Sequence, residues 1–178
     1  MINDMETILL TEEQIRERVA QLGAEISRDY ADKEPLFVGV LKGCFVFMAD
    51  LMRQVKIPCG LDFMVLSSYG KSTKTTGAVE IIKDLSQDIE GRHVVIVEDI
   101  LDTGVTLSYL VKYLKNRNPS SLAIVTLLDK PERRRADVSA RYVGFTVPDA
   151  FVVGYGLDYA EKYRNLPFVG ILKPEIYE

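Results

Sequence analysis

From Val94 to Thr106 the chain reads Val-Val-Ile-Val-Glu-Asp-Ile-Leu-Asp-Thr-Gly-Val-Thr, an apolar run that ends in carboxylates and hydroxyls. Four consecutive apolar residues cannot all face water, so Val94–Val97 reads as a buried strand. Glu98 and Asp99 then stand at the strand end, and Asp102-Thr103-Gly104-Val105-Thr106 opens a helix. Each part has a chemical use. Backbone N–H groups at a helix N-terminus bind a phosphate monoester, the Thr103 and Thr106 hydroxyls add donors, and Gly104 lets the backbone approach closely. Glu98 and Asp99 can accept hydrogen bonds from vicinal sugar hydroxyls or support a hard cation bound to them. Helix capping alone needs one oxygen and accounts for neither the two preceding carboxylates nor the second threonine. The run therefore predicts a place where a sugar and its phosphate lie side by side.

The elements that must position this site follow from hydrophobic spacing. Thr11-Glu12-Glu13-Gln14 is a capping-box pattern, and Ile15, Val19, Leu22 and Ile26 continue it as one buried helical stripe. Leu36–Leu41 reads as a strand, Lys42-Gly43 as a tight turn, and Phe45, Met48, Ala49 and Met52 as the apolar face of a second helix. Leu61, Phe63 and Val65 alternate as a strand, as do Val79 and Ile81 after a polar interval from Ser67 to Gly77. Leu107, Leu110, Val111 and Leu114 give a helix between the strands Val94–Val97 and Leu122–Leu128. Strands are further expected at Tyr142–Val147 and Phe151–Tyr155, hinged at Pro148-Asp149, with a short one at Phe168–Leu172. Strands alternating with helices imply an α/β domain with a mainly parallel sheet, whose ligand site lies beyond the carboxyl ends of the strands.

Composition bounds the reading. With 178 residues the chain suits a single domain spanning 1–178, and 47% hydrophobic with 27% charged residues is the balance of a globular protein. A net charge of −4 disfavours bulk nucleic-acid binding. Cys44 and Cys59 form no CxxC pair and lie apart from the only histidine, His93, so reduced thiols in a cytoplasmic protein are expected. No signal-peptide pattern and no membrane-length apolar run is present, so no membrane is expected as a partner.

The run from Glu98 to Thr106 resembles the phosphoribosyl pyrophosphate (PRPP) signature of type I phosphoribosyltransferases, two acidic residues followed by an Asp-Thr-Gly-x-Thr turn, matched without a gap. The resemblance implies a central sheet flanked by helices, with a small hood formed by the N- and C-terminal segments. It implies that Glu98 and Asp99 bind the ribose hydroxyls, and that Asp102, Thr103, Gly104, Val105 and Thr106 form the 5′-phosphate loop. Over nearly its whole length the chain resembles the short bacterial form of the hypoxanthine-guanine branch. In that family Leu41-Lys42-Gly43 corresponds to a pyrophosphate loop whose peptide before the lysine is often cis. Ser68-Tyr69 matches the start of a mobile loop that closes over the reacting centre and excludes water. Lys130 matches the lysine that donates to the purine exocyclic oxygen and selects 6-oxopurines over adenine. Within Val147–Tyr159, Phe151 is implied to stack on the purine, Val152 to offer backbone groups to its edge, Leu157 to lie beside the base, and Asp158 to hold a second magnesium. Arg164 matches an arginine that contacts pyrophosphate, while Asn165 departs from the acidic residue expected beside it. The run Glu132-Arg133-Arg134-Arg135 reads as a solvated basic turn.

The activity implied is magnesium-dependent transfer from PRPP to hypoxanthine or guanine, giving IMP or GMP and pyrophosphate. Glu98, Asp99 and Asp158 are the implied metal carboxylates, and Asp102 is the candidate general base, a contribution worth roughly 10²–10⁴ in rate. Two alternatives remain open at this point: xanthine or another oxopurine as the base, and a regulator that keeps the PRPP site but binds RNA. A homodimer or homotetramer is expected from the family habit.

Overall fold

In the computed structural model of the chain, residues 1–68 and 79–178 are described. Nine strands and four α-helices form two sheets among these residues: β1 Met5–Leu10, α1 Glu12–Asp29, β2 Leu36–Leu41, α2 Phe45–Gln54, β3 Gly60–Ser68, β4 Val79–Lys83, β5 His93–Leu101, α3 Val105–Lys115, β6 Ser121–Asp129, β7 Tyr142–Thr146, β8 Val152–Val153, β9 Val169–Leu172 and α4 Pro174–Tyr177. The main sheet has the order β4-β3-β2-β5-β6-β7. All its pairings are parallel except that of β4 with β3 at the edge.

Alternation along the central strands splits the core into two layers. Phe37, Val95 and Val97 face α1 and α2, where Ile15, Val19, Leu22, Ile26, Phe47 and Leu51 meet them. Leu36, Val38, Val94 and Ile96 face the other way, onto Leu107, Leu110 and Leu114 of α3. This is why β5 reads as continuous apolar sequence: both of its faces are covered. The α1 capping box is present, with Gln14 N–H donating to Thr11 Oγ1 at 3.2 Å and Thr11 N–H donating to Gln14 Oε1 at 2.9 Å.

The hood is a second sheet, β1-β9-β8, which joins the two ends of the chain. Two sequence expectations are corrected here, and one strand had not been expected. The strand expected at Phe151–Tyr155 is only Val152–Val153, because the chain turns back in a bridge between Gly154 and Leu157. β1 is not apparent in the local pattern. In α2 the buried stripe is Phe47, Met48 and Leu51, whereas Phe45 and Ala49 are exposed. Among the described residues no helix is long and apolar enough to cross a membrane.

Candidate active site

β2 and β5 are neighbours, but the chain continues from β2 to β3 on one side and from β5 to β6 on the other. Their carboxyl ends therefore diverge into a crevice, the usual ligand position in an open α/β sheet. A cavity of 320 Å³ lies there, lined by Leu41 at the end of β2 and Gly43 after it, by Glu98 and Asp99 near the end of β5, which runs on past them to Leu101, by Asp102, Thr103 and Gly104 of the turn that follows, and by Thr106 at the start of α3. The Leu41–Lys42 peptide is cis. A Cβ on Gly43 would stand 1.8 Å from Asp99 Oδ2, so the turn after β2 touches β5 in a way that only glycine permits.

The acidic pair is electrostatically costly as it stands. Burial pushes the Glu98 carboxyl well above the usual range, and the adjacent Asp99 charge adds to it. Burial also raises Asp99, opposed by the backbone N–H of Ile100, which donates to Asp99 Oδ1 at 2.7 Å, and by the charge of Arg164. Behind them Cys44 is fully buried, and burial together with these two carboxylates pushes its thiol up to about 12, which makes it inert packing.

Gly104 caps α3 in the left-handed region at φ 79°, and no side chain caps the helix. Thr103 Oγ1 receives only a long bond, 3.4 Å, from the Val105 N–H. The other first-turn amides lack a side-chain acceptor, the arrangement that favours an anion. Asp102 does not cap the helix either: Arg133 Nε donates to its Oδ1 at 2.7 Å.

A second cleft, 500 Å³, opens beside the first and shares Ile100 and Asp102 with it. Its remaining walls include Lys130, Arg133, Asp149, Phe151, Val152, Leu157 and Tyr177. Lys130 is buried at the end of β6, where its Nζ donates to the Ala150 carbonyl at 2.6 Å. Burial lowers its pKa, while Asp102 and Asp149 pull the other way. The Phe151 ring is 37% exposed. It stacks on Tyr177 at 4.7 Å between centroids, and Tyr159 meets it edge-on at 5.5 Å.

Lys42, Asp158 and Arg164 lie outside both linings and form an ion network beside them. Arg164 Nη1 donates to the Gly156 carbonyl at 2.7 Å, and its Nη2 lies 3.3 Å from Asp158 and 3.4 Å from Glu161. Lys42 Nζ reaches the other Glu161 oxygen at 3.4 Å. This network ties the turn after β2 to the loop after β8. Val105 contributes its backbone at the start of α3, Ser68 ends β3, and Tyr69 lies outside the described residues.

Sequence reasoning missed Arg133, Arg134 and Tyr177. The basic run is a solvated turn at Glu132, Arg133 and Arg135, which are exposed, but not at Arg134, which pairs with Asp129, donates to the Asp102 carbonyl at 3.2 Å, and is 20% exposed. Backbone N–H groups of Arg135 and Ala136 both donate to the Thr103 carbonyl, so this segment braces the turn between β5 and α3. Three consecutive arginines just after a strand that ends at the ligand edge were the available signal. Tyr177 gave none, since its partner Phe151 is distant in sequence.

A family model described as phosphoribosyl transferase domain matches residues 6–160. Together with the uncapped helix N-terminus and acidic pair at the switch point of the sheet, this match defines the class as phosphoribosyltransferase. More narrowly, the chain belongs to the hypoxanthine-guanine phosphoribosyltransferase family, being 56% identical over 178 residues to the enzyme of that name from Bacillus subtilis, with 100% of this chain and 99% of that one covered. A crystal structure of a hypoxanthine phosphoribosyltransferase from Staphylococcus aureus matches with a TM-score of 0.97 at 53% identity, covering 100% of this chain and 97% of that one. A hypoxanthine-guanine phosphoribosyltransferase from Bacillus anthracis, solved with a HEPES molecule in its active site, matches with a TM-score of 0.91 at 48% identity, covering 95% and 99%.

Proposed function

We propose that the protein transfers the phosphoribosyl group of PRPP to hypoxanthine or guanine, giving IMP or GMP and pyrophosphate. One observation carries the reading: the phosphate-type crevice and the aromatic-walled cleft share Ile100 and Asp102, so a sugar in the first can bond to a flat base in the second. The 5′-phosphate sits on the amides of Asp102 through Thr106. Glu98 and Asp99 accept from the ribose hydroxyls, and Phe151 stacks on the purine. Lys130 donates to its 6-oxygen, with Val152 and Leu157 along the remaining edge. The bond from the anomeric carbon to pyrophosphate breaks, and the electron pair leaves with pyrophosphate. The purine ring nitrogen bonds to that carbon, and its proton passes to the Asp102 carboxylate. Lys42 and Arg164, held beside the crevice by Glu161, meet the charge of the leaving group.

The donor set fits magnesium. Two half-buried carboxylates with raised pKa values are relieved by a hard cation or by the hydroxyls that bind one. Among the described residues no three histidine, cysteine or carboxylate side chains converge, which suits an ion held by one or two carboxylates and by substrate oxygens. Glu98 and Asp99 would hold one such ion, and Asp158 a second. When bound it neutralises pyrophosphate charge. The reading includes a cytoplasmic homodimer or homotetramer.

The test is a spectrophotometric assay with PRPP and magnesium, offering hypoxanthine, guanine, xanthine and adenine in parallel, with an EDTA control. Turnover of hypoxanthine and guanine but not adenine, abolished by EDTA, is the expected result. Turnover of adenine would overturn the role of Lys130, and no turnover of any base would overturn the activity.

A further inference from the structure

We infer that Arg133 is a positioning residue for the reaction, orienting the Asp102 carboxylate toward the purine cleft; this rests on the reading that Asp102 accepts the purine proton. Arg133 closes the turn Pro131–Arg133 that follows β6, and its own N–H donates to the Lys130 carbonyl at 3.1 Å. From there its Nε donates to Asp102 Oδ1 at 2.7 Å, and its Nη1 reaches Asp149 Oδ1 at 3.5 Å. The guanidinium therefore bridges two carboxylates in the wall of the base cleft. The next residue takes the other end of the same aspartate, since Arg134 Nε donates to the Asp102 backbone carbonyl.

Chemistry assigns the bond a purpose. A carboxylate free to turn about its side-chain torsions spends part of its time pointing away from the acceptor position. An N–H on Oδ1 fixes its plane and leaves Oδ2 to take the proton. Magnitude separates this from the alternative that Arg133 locks the cleft shut. The Arg133 and Asp102 side chains are 42% and 41% exposed. An ion pair so open to water changes an equilibrium by about fivefold at most, too little to exclude substrate. Orientation of a reacting group is where a weak contact gains leverage, because small misplacements cost rate steeply.

The test measures kcat and KM for both substrates in the wild type, Arg133→Gln, Arg133→Lys, Asp102→Asn and the Arg133→Gln/Asp102→Asn double variant. Arg133→Gln should lower kcat about tenfold and leave KM for PRPP within about twofold, with Arg133→Lys recovering part of the loss. In the Asp102→Asn background the same change should cost nothing further, because its effect runs through Asp102. A kcat within about twofold of wild type for Arg133→Gln, or an undiminished tenfold loss in the Asp102→Asn background, overturns the inference while leaving the base role of Asp102 intact. Full activity of Asp102→Asn alone overturns the base role itself, so the two failures are distinguishable.

Discussion

Gly43→Ala should injure catalysis as well as folding. A methyl at this position would lie 1.8 Å from Asp99 Oδ2 and 2.8 Å from its Cγ, where real contacts essentially never fall below 3.0 Å. The turn or the carboxylate must therefore retreat by about 1 Å or more. Asp99 is not free to yield alone, because its other oxygen accepts the Ile100 N–H at 2.7 Å. Overpacking of this kind costs about 1–3 kcal/mol of stability. A 1 Å displacement of a group proposed to hold the ribose should cost about 10²-fold in kcat/KM for PRPP, or about 2.7 kcal/mol of transition-state stabilisation. KM for the base should change little, since Gly43 lines only the first crevice. Initial rates at varied PRPP with saturating hypoxanthine, paired with thermal melts, measure both effects. If Gly43→Ala keeps kcat/KM for PRPP within about threefold of wild type, the contact between Gly43 and β5 does not position Asp99 and the reasoning fails.

Lys130→Met removes a buried ammonium and the donor to Ala150. It should shift stability by only about 1 kcal/mol in either direction while lowering kcat/KM for hypoxanthine about 10²-fold or more; retained activity would refute the selector role. Tyr177→Ala strips one face of Phe151 and should raise KM for the base about fivefold, with KM for PRPP unchanged and Tyr177→Phe restoring the wild-type value. Equal losses for both substrates would instead mark a folding defect. Asp84 sits against the Tyr113 hydroxyl and the Arg117 guanidinium; burial alone would raise its pKa, but these partners hold it below the usual 3.8. The folded state thus binds this proton more weakly than the unfolded one. Its stabilisation is complete above about 3.8 and fades as pH falls through the lower folded value. Asp84→Asn should therefore lose about 1 kcal/mol in urea unfolding at neutral pH, and the gap to wild type should close below pH of about 4; a gap independent of pH would contradict the assignment.

The main sheet was legible because each strand carries its own signal. Val94–Val97 is apolar on both faces, and the α1 stripe of Ile15, Val19, Leu22 and Ile26 is buried residue for residue. The hood was only partly so. β1 has Glu6 and Thr7 in its middle, is interrupted by register shifts, and pairs with β9 from the opposite end of the chain, so nothing local marks it. The α2 face was misplaced because Phe45 reads as core by type, yet it starts the helix at the rim and is 46% exposed.

The placement of the candidate site residues follows the same division. Residues adjacent in sequence, Glu98 through Thr106, arrive at one sheet edge because strand, turn and helix are consecutive. Residues that meet only through tertiary packing, such as Arg133 with Asp102 or Tyr177 with Phe151, carry no spacing rule that a single sequence reveals. The proposed reaction requires sugar and base to approach along one line, and the wall common to the two clefts is built from Ile100 and Asp102, where β5 ends and its turn begins. Asp102 therefore cannot be placed by its own element alone. Its backbone comes from the turn after β5, but its carboxylate accepts from Arg133 and its carbonyl from Arg134, both just after β6, so the geometry of the proposed proton transfer depends on the register between two parallel strands.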